Sequence, residues 1–201
     1  MAGQSMTVEE VVVEVMKDAS YYKFSGGGVT FSGGEATSQP DFLVETCKVL
    51  KEQGITTCIE TCGFARWDVY EKLLPYMDYF FFDLKTIDED VHRKLTGVSS
   101  KLILDNYTRL VESGANVTVR IPLIPGYNFT EKNIKETIEF LEVTSPACHV
   151  SLLPYHSLGA SKYDKLDMEY TLDEVRPPSN EDMTALKERF EAHGFEVTIG
   201  E

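Results

Sequence analysis

The feature that most constrains this chain is a repeated alternation of short apolar runs with amphipathic helical patterns. Residues 29–32, 56–60, 79–82, 117–124 and 150–153 read as strands, and 195–199 as a short last one. Residues 41–53, 68–74 and 102–113 have helical spacing and are stopped by Gly54, Pro75 and Gly114. Thr7 and Glu10 form a capping-box signature ahead of Val11, Val12, Val15 and Met16. Thr130 and Ser179 cap two further helices, which carry Ile134, Ile138 and Leu141, and Met183, Leu186 and Phe190, on their inward faces. Strands separated by helices pair in parallel through right-handed crossovers. The pattern predicts an α/β fold, an incomplete (β/α) barrel of five parallel strands and a short sixth. Residues 1–201 read as a single domain, with a long loop at 157–178.

Composition narrows the function. A formal net charge of −14 would repel a phosphate backbone, so nucleic acid is not expected as a partner. No apolar run is long enough to span a bilayer, and residues 1–6 lack a signal-peptide pattern. A cytoplasmic protein without a membrane partner is expected. The four cysteines, Cys47, Cys58, Cys62 and Cys148, are too few and too scattered for a disulfide scaffold. Cys47 lies at helical core spacing with Leu43 and Leu50, which predicts a buried thiol.

Parallel α/β folds carry their reactive groups at the carboxyl ends of strands. Here those ends read Ser32-Gly33-Gly34-Glu35, then Glu60-Thr61, then Asp83-Leu84-Lys85, with Arg120 in the fourth strand and Pro154-Tyr155-His156 after the fifth. Five polar strand ends of both charge signs point to a site. Each residue also has a plainer role: Gly33-Gly34 is a common tight turn, and Lys85 reads equally as an exposed lysine. Arg120, in an apolar strand, needs a partner such as Glu60 or Asp83. His156, like His92, His149 and His193, reads by default as structural. Taken without regard to family, Lys85 at a barrel rim could also form a Schiff base, as in an aldolase.

The run Gly27-Gly28-Val29-Thr30-Phe31-Ser32-Gly33-Gly34-Glu35 resembles a segment of the glycyl-radical-enzyme activating enzymes, of the pyruvate formate-lyase activase type. The resemblance continues through 54–64, Phe82-Asp83-Leu84-Lys85, Leu95-Thr96-Gly97-Val98, Arg120-Ile121-Pro122, Pro125-Gly126-Tyr127-Asn128, Leu152-Leu153-Pro154-Tyr155-His156 and Pro177-Pro178, in family order. It implies a radical S-adenosylmethionine (radical SAM) barrel. In that family a reduced [4Fe–4S] cluster passes an electron to the sulfonium, and a 5′-deoxyadenosyl radical takes a hydrogen from a glycine of the partner enzyme. It further implies an electron donor such as flavodoxin or ferredoxin. By position, Gly33, Gly34 and Glu35 would hold the methionyl amino group of S-adenosylmethionine, with Glu60 and Thr61 near it. Asp83, Leu84, Lys85 and His156 would bind the ribose and carboxylate. Glu60, Thr61 and Asp83 could border a monovalent cation. Lys85 and Arg120 are the catalytic candidates.

One departure stands out. The family holds its cluster on a CxxxCxxC motif upstream of the Gly-Gly-Glu strand, and no cysteine precedes Cys47 here. Cys58 and Cys62 repeat half of that spacing at another place. The resemblance therefore implies a radical SAM core missing its first strand and its cluster ligands, with the cluster present only in a longer parent. A naturally cluster-less remnant that binds a nucleotide or a partner is the competing expectation.

Overall fold

The structure is a computed structural model that describes residues 4–157, 172 and 174–200. In chain order its elements begin with α1 (Val8–Met16), α2 (Ala19–Ser25), β1 (Gly28–Phe31), α3 (Pro40–Glu52), β2 (Thr56–Thr61), α4 (Trp67–Leu73) and β3 (Tyr79–Asp83). They continue with α5 (Glu89–Thr96), α6 (Lys101–Glu112), β4 (Val117–Leu123), α7 (Glu131–Thr144), β5 (His149–Pro154), α8 (Asn180–Glu191) and β6 (Glu196–Ile199). The chain divides into two compact units, Met1–Phe82 with Leu102–Val117, and Asp83–Lys101 with Thr118–Glu201.

In the first unit β1, β2 and β3 pair in parallel, with Phe31 opposite Ile59 and Thr61 opposite Phe82. Gly28 is required where β1 meets β2, because a Cβ there would lie 1.9 Å from the Thr56 carbonyl oxygen. Helix α1 starts as expected, with Thr7 Oγ1 accepting the Glu10 N–H and Glu10 accepting the Thr7 N–H. Helix α3 buries Leu43, Thr46, Cys47 and Leu50, a single stripe at helical spacing. Cys47 is fully buried, and burial pushes its thiol up to about 12. Helix α6 buries Ile103, Asn106, Tyr107 and Leu110, and the Tyr107 ring lies 5.4 Å from that of Phe82.

In the second unit β4, β5 and β6 are parallel, with Arg120 opposite Ser151 and Val150 opposite Val197. The chain leaving β3 is held to β4 where the Leu84 N–H donates to the Arg120 carbonyl, at 2.9 Å. Ile134, Ile138 and Leu141 of α7, and Met183, Leu186 and Phe190 of α8, are buried as their spacing predicts. Both helices begin at the expected caps, Thr130 and Ser179.

Two helices escape the sequence reading. Helix α2 buries no residue, and the strongly charged α5 buries only His92. The His92 ring accounts for that burial: Nδ1 lies 2.8 Å from the Val98 carbonyl, so this histidine braces a turn as expected. Most of the loop expected at 157–178 lies outside the described residues.

Candidate functional site

At the carboxyl end of β1 the chain runs through Ser32, Gly33 and Gly34, and Glu35 then caps one 3-10 turn, Ala36–Ser38. Gly33 has φ of 120°, a conformation that side chains strongly disfavour. A Cβ built on either glycine would meet no atom within 4 Å, so the backbone of this turn is bare. The Glu35 carboxylate points back into the protein. Oε1 accepts the Thr37 N–H at 3.3 Å, the Thr37 hydroxyl at 2.7 Å and the Thr61 hydroxyl at 2.9 Å. Oε2 accepts the Cys62 N–H at 2.8 Å. Burial pushes the Glu35 pKa up, but hydrogen bonds from Cys62, Thr37 and Thr61 outweigh it and hold the carboxyl below its ordinary 4.5.

The buried Thr61 hydroxyl also accepts the Gly63 N–H at 3.1 Å and lies 3.0 Å from the Tyr70 hydroxyl. Its one proton goes to the carboxylate, so Tyr70 is the donor in that pair. Burial raises the Tyr70 phenol well above its ordinary value, which keeps it a donor. Glu60 accepts the Ser32 hydroxyl at 2.6 Å. Beyond Cys62 the chain turns through Gly63, where a Cβ would lie 2.2 Å from the Phe82 ring. The Asn106 amide holds that turn by donating to the Gly63 and Ala65 carbonyls.

In the second unit Asp83 closes β3. Its Oδ1 accepts from Arg120 Nε at 3.0 Å, and its Oδ2 lies 3.4 Å from Lys85 Nζ. The expectation that Arg120 needs a carboxylate partner is met by Asp83. Lys85 is about one-third exposed and keeps donors beyond the one facing Asp83. Leu84 is buried, so its side chain belongs to the core. His156 is exposed, two residues past the end of β5. Asn128 underpins this end. Its amide donates to the Lys85 carbonyl at 2.7 Å and the Pro122 carbonyl at 2.6 Å, and its oxygen accepts the Ile124 N–H at 2.7 Å. Asn133 extends the network to the Asn128 carbonyl and the Ile87 N–H.

The sequence pattern marks the strand-end residues but not the supports Thr37, Tyr70 and Asn106, and it places Asn128 only within a family-like run, without its supporting role. The one available signal was a polar side chain embedded in an apolar pattern, as for Asn106 in α6. The four cysteines do not fit a [4Fe–4S] cluster. Cys47 and Cys58 are buried, and four residues of extended chain separate Cys58 from Cys62 by roughly 13 Å. Among the described residues no helix is long and apolar enough to cross a membrane.

Several known proteins similar to this chain share one family. Residues 2–141 match the Radical SAM superfamily. The trans-4-hydroxy-L-proline dehydratase activating enzyme of Clostridioides difficile is 44% identical, over 100% of this chain and 67% of its own length. The pyruvate formate-lyase 1-activating enzyme of Escherichia coli K12 is 36% identical, over 97% of this chain and 80% of its own length. The crystal structure of a domain of pyruvate-formate lyase-activating enzyme from Bacteroides vulgatus superposes with a TM-score of 0.72 at 34% identity, covering 87% of this chain and 99% of that one. The chain belongs to the radical SAM superfamily and, within it, to the glycyl-radical-enzyme activating enzymes. The expected α/β fold of the radical SAM type is thereby borne out. The chain spans about two thirds of the length of several curated relatives.

Proposed function

We propose that this chain is the S-adenosylmethionine-binding part of an enzyme that installs a glycyl radical on a partner enzyme. The observation that carries this reading is the bare backbone at Gly33 and Gly34, directly past a parallel strand, in a chain of this family. Backbone carbonyls there can meet an amino group with no side chain in the way. Lys85, with donors to spare, suits a carboxylate, and Asp83 and His156 offer hydrogen bonds to ribose hydroxyls. Arg120, paired with Asp83, sets the orientation of that carboxylate. When bound, S-adenosylmethionine supplies the hydrogen-abstracting chemistry, and this chain holds and orients it. A monovalent cation would draw oxygen donors from Glu60, Thr61 and Asp83. The Thr61 hydroxyl is fully committed, so Thr61 would offer its carbonyl. A [4Fe–4S] cluster would be held by a CxxxCxxC motif, which these 201 residues do not contain, and its electron would come from a separate donor such as flavodoxin or ferredoxin.

The partner is a glycyl radical enzyme, engaged at the segment bearing the glycine. The names of the relatives cover dehydratases as well as pyruvate formate-lyase. A titration of the 201-residue chain with S-adenosylmethionine, followed by amide chemical shifts, tests the reading. Shifts should gather at 32–35, 60–62, 83–85 and 156. Lys85→Ala should weaken binding by roughly tenfold to a hundredfold, as for a lost charged hydrogen bond. Shifts confined to other residues, or unchanged affinity in Lys85→Ala, would refute it.

A further inference from the structure

We infer that the turn after β2 is a rigid platform that presents the Phe64 ring to the glycine-bearing segment of the partner. The inference deepens the proposed function and rests on it. Phe64 is a large apolar side chain left 42% exposed. Its backbone is held on both sides. Gly63 lies in the left-handed region, with φ of 77°, and packs so closely on Phe82 that no side chain fits there. The Gly63 N–H donates to the Thr61 hydroxyl at 3.1 Å. The carbonyls flanking Phe64 both accept from one amide group, Asn106 Nδ2, at 2.8 Å for Gly63 and 2.7 Å for Ala65. Just beyond, α4 opens at Trp67, whose ring carries the Arg109 guanidinium at 4.2 Å.

Asn106 shows that this rigidity is not free. The residue is fully buried, and its Oδ1 has no hydrogen-bond partner among the described residues. An unpaired buried acceptor costs stability, and an apolar residue would fill that face of α6 without the cost. What Asn106 adds is the fixed backbone on either side of Phe64. Chemistry then names the occupant. Glu60 and Thr61, at the strand end that leads into this turn, belong to the proposed S-adenosylmethionine site. The segment that yields its hydrogen must come to such strand ends. A glycine offers no side chain to recognise. It offers two bare peptide planes and its Cα–H groups, and a flat aromatic face packs against these where a branched side chain would hold them off. Aromatic residues ordered before binding are also the groups that carry most energy at protein interfaces.

The test uses the 201-residue chain with S-adenosylmethionine and a short capped peptide, a central glycine flanked by small uncharged residues. Amide shifts on adding the peptide should gather at 62–67, and the Phe64 ring protons should show Overhauser contacts to the glycine α-protons. Phe64→Ala should weaken peptide binding by about tenfold or more, and Phe64→Tyr should retain it. Both variants should melt with the wild type and keep its S-adenosylmethionine affinity, which a merely structural role would not allow. Valine in place of the central glycine should also weaken the peptide about tenfold, because its side chain lifts the backbone off the ring. A valine peptide that binds equally well would mark an unselective apolar surface and overturn the inference. Unchanged peptide binding in Phe64→Ala, shifts confined to other residues, or a wild-type chain that takes no peptide would overturn it as well. A chain that binds no S-adenosylmethionine overturns the proposed function instead, and the peptide titration alone then decides the platform.

Discussion

Gly34→Ala separates a binding role from a folding role at one position. Gly34 is not among the glycines with positive φ, and an added Cβ would find no atom within 4 Å. Alanine therefore fits the folded chain without strain and restricts the unfolded one, which stabilises by about 0.4–1 kcal/mol. For a chain of this size that raises the midpoint of thermal unfolding by about 1–4 °C. Gly33→Ala is the control. At φ of 120° a side chain is strained, and the cost is about 1–3 kcal/mol. If the ligand lies against the Gly34 backbone, the same methyl group that leaves folding untouched occupies ligand space. Overpacking of this kind costs about 1–3 kcal/mol, or about fivefold to a hundredfold in affinity. The assay is thermal unfolding by circular dichroism beside S-adenosylmethionine titration, on both variants. A Gly34→Ala chain that melts slightly higher and binds much more weakly is expected. One that binds as the wild type does would show that this turn is not the ligand's floor.

Asn128→Ala should lower stability by about 3 kcal/mol, since it strips partners from the Lys85 and Pro122 carbonyls and the Ile124 N–H; chemical denaturation with a loss below about 1 kcal/mol would show the network to be dispensable. Anaerobic treatment of the 201-residue chain with iron and sulfide should yield no cubane cluster, given two buried cysteines and a Cys47 thiol pushed up to about 12. A reduced-cluster electron paramagnetic resonance signal that shifts on adding S-adenosylmethionine would contradict that.

What the sequence disclosed followed from periodicity. Helices α7 and α8 bury the residues their patterns mark, and in α3 the expected inward Leu43 and Leu50 are buried while Phe42 and Val49 are only half-buried. Helices α2 and α5 carry almost no buried residue, and the sequence pattern did not mark them. The strand-end residues were legible because parallel sheets send their polar exits to the carboxyl ends. Their supports were not. Glu35 meets Thr61 across 26 residues, and Asn128 meets Lys85 across 43. Such pairs depend on strand register and loop path, which single-sequence patterns do not encode.

These supports also bear on how a ligand would be met. The hydrogen bonds at Glu35 form a directed chain, from the Tyr70 hydroxyl to the Thr61 hydroxyl to the carboxylate, with no proton left to reassign. Asn128 is committed in the same way, both amide protons donated and its oxygen bonded to an N–H. Groups held this way are ordered when the chain folds, so ordering them adds no cost when a ligand arrives. The turn they brace at Gly33 and Gly34 has no side chain to stiffen it, so its order must come from outside. A mutation of Thr37 or Tyr70, which need not touch any ligand, should therefore weaken binding by letting that backbone wander.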